Sequence, residues 1–430
     1  MRMLTGLLVD TAIMAIAFAA AFALRFDFQA PRWGWGAVWQ SFITVWSVQL
    51  AAMIAFDCLR RWRLRARDLM RFMLAFAAGI AVMMAFRLVF RSETQMHIRP
   101  PFTVNLINGV LWGAGALVLR WLWTLFANAR SHEAKLLNRK ERILADASVK
   151  AYFAGRCVMV TGAGGSIGSE IVRQVLDAGA AKVLMVERGE NALYEICEEV
   201  MASGRAVPLM LDINEPEKIA AAIRRERPQV LLHAAAYKHL PMCEMNPDEA
   251  WRNNAQATES LVKVAQENGI GNFVFISTDK AINPSSVMGS TKLAAEKSVV
   301  SAGFTAVRFG NVLGSSGSVV PKWERQIANG GPVTITDRRM TRYFMTVQEA
   351  VGLVLVAATM ERGRVYTLDM GRPVSLVSLA EEMIRQAGYR PYRDIAIEFT
   401  GIRPGEKLVE ELGLEKAKPT DHAKIYMTEA

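Results

Sequence analysis

The chain has 430 residues, which is enough for two or three domains, and a formal net charge of +10 at neutral pH. The charge is uneven: residues 1–149 contain 18 Lys or Arg and 8 Asp or Glu, whereas the remaining 281 residues contain 33 of each. The four Cys residues have no CxxC or metal-ligand spacing, which excludes a disulfide framework and predicts no metal site.

Four apolar stretches lie in the first part of the chain, at residues 4–24, 37–56, 72–90 and 102–123. Each has about the 20 residues that an α-helix needs to cross a bilayer. Six Arg lie between the second and third stretches and five Lys or Arg follow the fourth, whereas the other two loops hold two Arg each. By the positive-inside rule, both termini and the 57–71 loop are predicted to be cytoplasmic. Because every basic cluster adjoins an apolar stretch, anionic lipid is the expected partner and nucleic acid is not.

The rest of the chain has a different pattern. Residues 127–150 are polar and are predicted to be a cytoplasmic linker between a four-span transmembrane region (1–126) and a third segment (151–430). In this segment short apolar runs alternate with amphipathic stretches, which is typical of a parallel sheet with helices on both faces. Six strands are predicted, at residues 157–162, 181–187, 206–212, 229–235, 272–278 and 304–310.

The first predicted strand runs into TGAGGSIG (161–168), followed by a helix that should begin near Ser169. Glycines let a backbone approach a pyrophosphate, and a helix N-terminus attracts its negative charge. Glu187, at the end of the second strand, is placed to bind an adenosine ribose, which favours NAD, while Arg188 leaves NADP open. The pattern predicts a Rossmann-type α/β domain whose cofactor contacts are Gly162, Gly165, Ser166, Ile167, Gly168, Glu187, Arg188, Asp212, Ile213, Ala234, Ala235, Ala236 and Lys292.

The segment STDKAINPSSVMGSTK (277–292) has the spacing of a short-chain dehydrogenase active site. In that superfamily a Tyr and a Lys four residues apart lie on one helix face, and the Tyr exchanges a proton with a substrate hydroxyl. Lys292 keeps its place, but Met288 occupies the Tyr position, and a thioether cannot carry a proton. Either the protein is inactive or other residues act as the acid and the base. Asp279 and Lys280 are the candidates for these two roles.

Residues 155–425 resemble the extended short-chain dehydrogenases, and specifically the nucleotide-sugar 4,6-dehydratases of the polysaccharide-biosynthesis and capsule family. The resemblance is carried, in order, by TGAGGSIGSE, HAAAYKHLPMCEMNP, STDKAINPSSVMGSTK, VRFGNVLGSSGSVVP, MTRYFMT and GIRPGEKLVEEL. The four predicted spans are similar to the membrane-anchored subgroup, in which Met in the Tyr position is usual. Larger members have a further nucleotide-binding-like domain, for which the linker has no room, and a longer helical tail, so a shortened C-terminus is one expectation.

The resemblance implies an NAD-dependent UDP-N-acetylglucosamine 4,6-dehydratase with a small C-terminal part that binds the sugar nucleotide. Lys280 would be the base at sugar C5 and Asp279 the acid at C6. Thr278 would orient the substrate hydroxyl and Lys292 would hold the nicotinamide ribose, while the acceptor of the C4 hydroxyl proton stays open between Asp279 and a water. The implied substrate contacts are Tyr237, Lys238, His239, Asn311, Ser318, Arg342 and Arg403.

Two alternatives stay open from the sequence: a nucleotide-sugar 4-epimerase, and a catalytically silent membrane scaffold that binds NAD or a UDP-sugar. The 4-epimerase is disfavoured because it needs the missing Tyr. The expected location is the bacterial inner membrane, with several spans and the catalytic domain in the cytoplasm. The expected partners are a UDP-sugar, the lipid bilayer, a second copy of the chain and a downstream aminotransferase or glycosyltransferase.

Overall fold

The computed structural model describes residues 2–25, 34–55, 66–89, 102–128 and 147–428. The chain divides into two compact units, Met1–His132 and Glu133–Ala430. The first unit is helical, and its helices coincide with the four apolar stretches: α1 (Arg2–Arg25), α2 (Gly34–Ala55), α3 (Ala66–Val89) and α4 (Phe102–Asn128).

The first unit has an apolar interior. Helix α1 packs against α4, and α2 packs against α3. Met14, Met53 and Trp112 are almost completely buried in one cluster, where the small side chains of Ala75 and Ala116 let the helices approach closely.

The outer surface of this unit is apolar as well. Within the described residues one helix is long and apolar enough to cross a membrane, with a mean hydropathy of 1.4 over Val38–Ala55. Met73–Ala85 and Leu106–Leu119 are shorter apolar helical segments. Each predicted span is therefore helical, whereas the crossing of a bilayer by all four helices remains a prediction.

The second unit combines parallel strands with helices. Its strands are β1 (Cys157–Thr161), β2 (Lys182–Glu187), β3 (Ala206–Met210), β4 (Val230–His233), β5 (Asn272–Ile276), β6 (Thr305–Arg308), β7 (Asn311–Val312), β8 (Val333–Ile335), β9 (Thr341–Arg342), β10 (Phe344–Met345), β11 (Val365–Leu368), β12 (Val374–Ser375), β13 (Ile397–Phe399), β14 (Lys418–Pro419) and β15 (Ile425–Thr428). Its α-helices are α5 (Ala147–Phe153), α6 (Ser166–Asp177), α7 (Glu190–Val200), α8 (Pro216–Glu226), α9 (Leu240–Met245), α10 (Pro247–Trp251), α11 (Ala257–Glu267), α12 (Val287–Ser301), α13 (Val319–Ala328), α14 (Val347–Ala357) and α15 (Leu376–Gln386).

The main sheet has nine strands in the order β14–β15–β11–β6–β5–β4–β1–β2–β3. Strands β1 to β6 and β11 are parallel, and β15 and β14 add an antiparallel edge. The central strands are continuous apolar runs because helices cover both faces. Within β1, Val158 and Val160 enter one core cluster and Met159 enters the other. All six predicted strands are confirmed, and the order β3–β2–β1–β4–β5–β6 is that of a doubly wound Rossmann sheet.

A smaller part follows the sixth strand. Helices α13 and α15 and the β8–β13 pair enclose a separate cluster around Trp323, which is completely buried. One expectation needs correction: α6 begins at Ser166 and not near Ser169. Gly165 is extended (φ −72°, ψ 164°) and acts as the N-cap, so the helix starts immediately after the last glycine of the turn.

Candidate active site

A cleft with a volume of about 210 Å³ lies where the parallel strands end. This edge, where the strand order reverses beside β1, is where doubly wound sheets bind ligands. The cleft brings together ten residues named above from the sequence: Gly162, Gly165, Glu187, Arg188, Asp212, Ile213, Ala234, Ala235, Ala236 and Tyr237.

The glycine loop is shaped by close backbone contacts. Gly162 has a φ of +70°, and a Cβ there would lie 2.7 Å from the backbone nitrogen of Ala235. A Cβ on Gly168 would lie 1.9 Å from the carbonyl oxygen of Gly162. Because no side chain fits at either position, these glycines allow the close packing of β1, the loop and α6 that a pyrophosphate cradle requires.

The carboxylates beside the cleft have different partners. Glu187 accepts hydrogen bonds from the backbone N–H groups of Gly189 (3.0 Å) and Gly164 (3.3 Å), so it braces the glycine loop. Arg188 lies 3.6 Å from the Asp212 carboxylate and donates to the Tyr237 hydroxyl at 2.5 Å. Burial raises the pKa of Asp212, but hydrogen bonds from Asn214 and the charge of Arg188 outweigh it, and the net pKa is lowered.

The side chain of Asn254 fixes the loop that follows β4. The side chain of Asn254 accepts from the Tyr237 backbone N–H at 2.8 Å and donates to its carbonyl at 3.0 Å. Lys238 donates to the Ser315 hydroxyl at 3.4 Å, and burial lowers the pKa of Lys238. A Cβ on Gly317 would lie 2.7 Å from the His239 ring. The predicted substrate residues 237–239 therefore meet residues 315–317, which immediately precede the predicted Ser318.

The end of β5 carries the Thr–Asp–Lys triplet. The Asp279 backbone N–H donates to the Phe309 carbonyl at 3.1 Å, which continues the β5–β6 pairing and fixes the turn that follows. The Thr278 hydroxyl donates to Asp279 Oδ1 at 2.9 Å, and Lys280 Nζ donates to the same oxygen at 2.9 Å. Asp279 is 2 % exposed. The three residues thus form one compact polar group.

The second oxygen of Asp279 has a different environment. Oδ2 is buried, and no hydrogen bond within the described residues reaches it. Gly310 lies beside it, because a Cβ there would come within 3.0 Å of Oδ2. A buried carboxylate oxygen without a donor is costly unless it is protonated or bound by a ligand hydroxyl. Asp279 therefore presents an atom suited to hold a proton.

Lys280 also has partners that come from later in the chain. Its Nζ donates to Asn311 Oδ1 at 3.1 Å and lies 3.7 Å from Glu410 Oε1. The Asn311 contact brings a predicted substrate residue next to the predicted base. Glu410 is 3 % exposed and was not predicted from the sequence, although it lies within the GIRPGEKLVEEL block.

Helix α12 packs Met288 away from polar groups. Met288 is buried in an apolar cluster with Cys243 and Ala250. The next residue, Gly289, touches the Asp279–Lys280 turn: a Cβ there would lie 2.3 Å from the Lys280 carbonyl oxygen. Helix α12 and the Asp279–Lys280 turn approach each other this closely only because position 289 has no side chain, which the sequence reasoning did not detect.

Lys292 lies one helical turn after Met288, and its Nζ donates to the Ile276 carbonyl at 2.5 Å. The amino group also lies 3.9 Å from the centre of the Phe275 ring. Burial lowers the pKa of Lys292 to about 7, and Glu296 only partly opposes this. His233 bonds Thr161 and Thr258 in the core, and burial lowers its pKa to about 3, so it remains neutral beneath the site.

A buried ion pair anchors the same helix. Glu296 and Arg308 are paired through two contacts, one of them 2.9 Å long between Arg308 Nε and Glu296 Oε2. The Ser277 hydroxyl donates to the same carboxylate oxygen at 2.7 Å. The network ties α12 to the ends of β5 and β6, so it supports the position of Lys292 relative to the Asp279–Lys280 turn.

The remaining substrate predictions fall in three environments. The Ser318 hydroxyl is buried and has no hydrogen-bond partner among the described residues. Arg403 is exposed. Arg342 is 5 % exposed and donates to the carbonyls of Thr341, Lys407 and Leu408 at 2.7 to 3.1 Å. A direct contact between Arg342 and a UDP group would compete with these bonds.

The sheet order, the glycine loop and the Asp279–Lys280–Lys292 arrangement together define an extended short-chain dehydrogenase. A family profile described as "Polysaccharide biosynthesis protein" matches residues 158–430. The match covers more than half of the chain, which therefore belongs to this family of polysaccharide biosynthesis proteins.

Three curated relatives show the range of activities around this chain. The capsular polysaccharide biosynthesis protein CapD of Staphylococcus aureus is 47% identical over 64% of this chain and 48% of its own length, so the match spans about half of that relative. A UDP-N-acetylglucosamine 4,6-dehydratase (inverting) of Campylobacter jejuni is 31% identical over 60% of this chain and 77% of the relative. A UDP-glucose 4-epimerase of Rickettsia canadensis is 28% identical over 64% of this chain and 83% of the relative.

Solved structures share the fold. Pen from Bacillus thuringiensis has a TM-score of 0.60 and 33% identity, covering 64% of this chain and 90% of its own. The dTDP-glucose 4,6-dehydratase DesIV of Streptomyces venezuelae was solved with NAD and TYD bound. It has a TM-score of 0.55 and 20% identity, covering 60% of this chain and 88% of its own.

Proposed function

We propose that this protein is an NAD-dependent UDP-N-acetylglucosamine 4,6-dehydratase that makes a 4-keto-6-deoxy sugar nucleotide for surface polysaccharide. The observation that carries the proposal is the buried Asp279–Lys280 pair beside Thr278, with Asp279 Oδ2 lacking a protein donor among the described residues. A dehydratase needs an acid and a base on neighbouring carbons, and this pair supplies one of each. The dehydratase relative from Campylobacter jejuni supports the same reaction class.

The cleft fits a dinucleotide. Because Gly162 and Gly168 have no side chains, the loop can pack closely enough to form the cradle that a pyrophosphate needs. The Asp212 carboxylate and the Arg188 guanidinium, which is engaged with Tyr237, line the adenosine side. Both side chains favour NAD over NADP. The 2′-phosphate of NADP would be repelled by carboxylates, and the Arg188 guanidinium that could bind it is already bonded to Tyr237. When bound, NAD would supply reversible hydride transfer from sugar C4 and back to C6.

The proton movements follow from the hydrogen bonds. The Thr278 hydroxyl donates to Asp279 Oδ1, so the proton of the sugar C4 hydroxyl can pass through Thr278 to Asp279. Asp279 then delivers that proton to the C6 oxygen, which leaves as water. Lys280 takes the C5 proton and later returns a proton to C5. In this account the proton lost from the C4 hydroxyl leaves in the water, and the protein regains its starting state.

This route needs no tyrosine at position 288. Met288 is buried among apolar side chains, and its thioether exchanges no proton. A 4-epimerase only oxidises and reduces C4, and has no use for an acid–base pair that acts at C5 and C6. The pair therefore favours a dehydratase over the epimerase activity of the Rickettsia relative.

We also propose that the first unit anchors the protein in the bacterial inner membrane with four spans and leaves the second unit in the cytoplasm. Its helices expose large apolar side chains, including Ile16, Trp39, Ile43, Ile54 and Val110. Exposed apolar side chains on this scale are expected of a surface that contacts lipid. Resistance of the full chain to extraction by alkaline carbonate would support the anchor, and release into the soluble fraction would contradict it.

The expected protein partners follow from the reaction. A 4-keto sugar is a substrate for an aminotransferase, and a sugar nucleotide is a donor for a glycosyltransferase, so enzymes of these classes would act next. A homodimer is the expected assembly. Size measurement of the detergent-solubilised chain tests the dimer.

The experiment that tests the proposed function incubates the detergent-solubilised chain with UDP-N-acetylglucosamine and NAD and identifies the product by NMR. A 4-keto-6-deoxy sugar nucleotide is the expected product. UDP-N-acetylgalactosamine would identify a 4-epimerase. Bound NAD without conversion of any UDP-hexosamine would favour a silent scaffold.

A further inference from the structure

The catalytic lysine is held by a residue from a distant segment. Glu410 lies 130 residues after Lys280 in the sequence, yet its Oε1 is 3.7 Å from Lys280 Nζ. The same oxygen is 3.7 Å from Arg342 Nε. One buried carboxylate oxygen therefore lies between two cations, and both side chains are largely shielded from water.

Arg342 keeps this carboxylate in place. Its guanidinium donates to the carbonyls of Lys407 (2.8 Å) and Leu408 (3.1 Å), three and two residues before Glu410. A rigid guanidinium fork that binds two successive carbonyls fixes the backbone of this segment. The position of Glu410 therefore depends on β9, which carries Arg342, and not on Lys280.

Lys280 has a long side chain whose amino group needs defined partners. Its Nζ faces three oxygen atoms, from Asp279, Asn311 and Glu410. The two hydrogen bonds, to Asp279 and Asn311, and the ion-pair contact with Glu410 together define where Nζ lies. Asp279 must give up and regain a proton during the proposed reaction, and it is therefore a variable partner. Glu410 is the carboxylate near Lys280 that the proposed chemistry leaves unchanged.

We propose that Glu410 is the positioning residue that holds Lys280 in line with sugar C5. The inference rests on the proposed dehydratase function and deepens it. A general base must lie within about 3 Å of the proton it removes, and a displacement of about 1 Å can cost two orders of magnitude in rate. Loss of the Glu410 charge should therefore slow the step at C5 and leave the oxidation of C4, in which Lys280 takes no part, intact.

The test compares Glu410→Gln, Glu410→Asp and Glu411→Gln with the wild-type full chain in detergent. Gln keeps the shape of Glu410 without its charge, and Asp keeps the charge with a shorter side chain. Glu411 is a matched control because it is the next residue, is exposed, and pairs with Asn283 and Lys407. The two readouts are NADH absorbance during a single turnover, which reports C4 oxidation, and deuterium incorporation at C5 in D2O, together with kcat and KM.

For Glu410→Gln we expect at least a tenfold lower kcat and C5 exchange rate, a KM within about twofold of wild type, and an unchanged NADH burst. Glu410→Asp should retain more C5 exchange than Glu410→Gln, and Glu411→Gln should match wild type. Equal rates for Glu410→Gln and wild type would overturn the inference. Parallel loss of C4 oxidation and C5 exchange would also overturn it, because that is the result of a purely structural role. A wild-type chain that oxidises C4 without C5 exchange would instead remove the proposed function and the inference with it.

Discussion

The amino nitrogen of Lys280 lies 2.9 Å from Oδ1 of Asp279, the residue immediately before it in the chain. Neighbouring residues in a strand point to opposite faces, so this contact requires the chain to leave β5 and turn. The 3₁₀ turn Asp279–Ala281 provides that change, and the Thr278 hydroxyl caps it by accepting from the Lys280 backbone N–H. The acid and the base of the proposed reaction are thus placed together by a single turn.

Separate substitutions of this pair should stop the reaction at different points. Asp279→Asn removes both the acceptor of the C4 hydroxyl proton and the acid at C6, so C4 oxidation should slow and formation of the 6-deoxy product should fall by about 10²- to 10⁴-fold. Lys280→Met removes the base, so C5 exchange should fall by a similar factor while C4 oxidation persists. Single-turnover NADH absorbance and NMR in D2O measure both steps.

Lys297→Met is a suitable control for that pair of variants, because Lys297 is exposed on α12. It should retain wild-type rates. An Asp279→Asn variant that formed product at the wild-type rate would show that the C6 acid is another group.

A methyl group at position 289 should disturb the Asp279–Lys280 turn. In Gly289→Ala the new Cβ would lie 2.3 Å from the Lys280 carbonyl oxygen, so helix and turn must separate. Overpacking of this kind costs about 1–3 kcal/mol of stability. We expect a lower thermal unfolding midpoint and at least a tenfold lower kcat. An unchanged kcat would show that the spacing between helix and turn is unimportant.

Lys292 should make the stability of the NAD-free protein depend on pH. Its pKa is lowered to about 7 in the folded chain and is about 10.4 in an unfolded chain. Below about pH 7 Lys292 is protonated in both the folded and the unfolded chain. The full free-energy cost of burying its charge then lowers the stability of the folded chain. Between the two values the unfolded state binds more protons, so stability rises with pH.

The Lys292→Met variant tests this dependence. It should be more stable than wild type below about pH 7, and its advantage should shrink by roughly 1 kcal/mol per pH unit up to about pH 10. Unfolding of the detergent-solubilised chains at several pH values gives the difference. A difference that does not change with pH would contradict a buried lysine with a lowered pKa.

Binding of NAD should depend on the glycine loop. In Gly168→Ala the added Cβ would lie 1.9 Å from the Gly162 carbonyl oxygen, so the turn must open. We expect NAD affinity to fall more than about tenfold by isothermal titration, which corresponds to about 1.4 kcal/mol. Gly271→Ala is the matched control, because its φ is not positive and its nearest contact would be 3.3 Å away. Equal NAD affinity for Gly168→Ala and wild type would place the cofactor elsewhere.

Local sequence patterns predicted the strands and the glycine loop because they depend on neighbours in the chain. Each central strand is an apolar run, and the glycine loop combines a strand end, small residues and a helix start. The beginning of α6 was placed about three residues late, because the sequence alone did not show that Gly165 would be extended and serve as the N-cap.

The contacts that the sequence did not reveal join distant segments. Glu410 and Glu411 are adjacent and chemically identical, and only the fold buries one and exposes the other. Arg342 was predicted to bind the sugar nucleotide because arginine suits pyrophosphate, whereas the structure shows its guanidinium engaged with the carbonyls of Lys407 and Leu408. The Glu296–Arg308 pair was missed for the same reason, since buried charges resemble solvated ones in a sequence.

The central claim is that hydride leaves sugar C4 and returns to C6 of the same sugar while Asp279 and Lys280 move the protons. The measurement that tests it most directly follows UDP-N-acetylglucosamine carrying deuterium at C4 through a turnover by the solubilised full chain with NAD. The account predicts a 4-keto sugar nucleotide whose C6 methyl group carries that deuterium. Deuterium retained at C4 of an epimerised sugar would contradict the account, as would a substrate that remains unchanged with NAD bound.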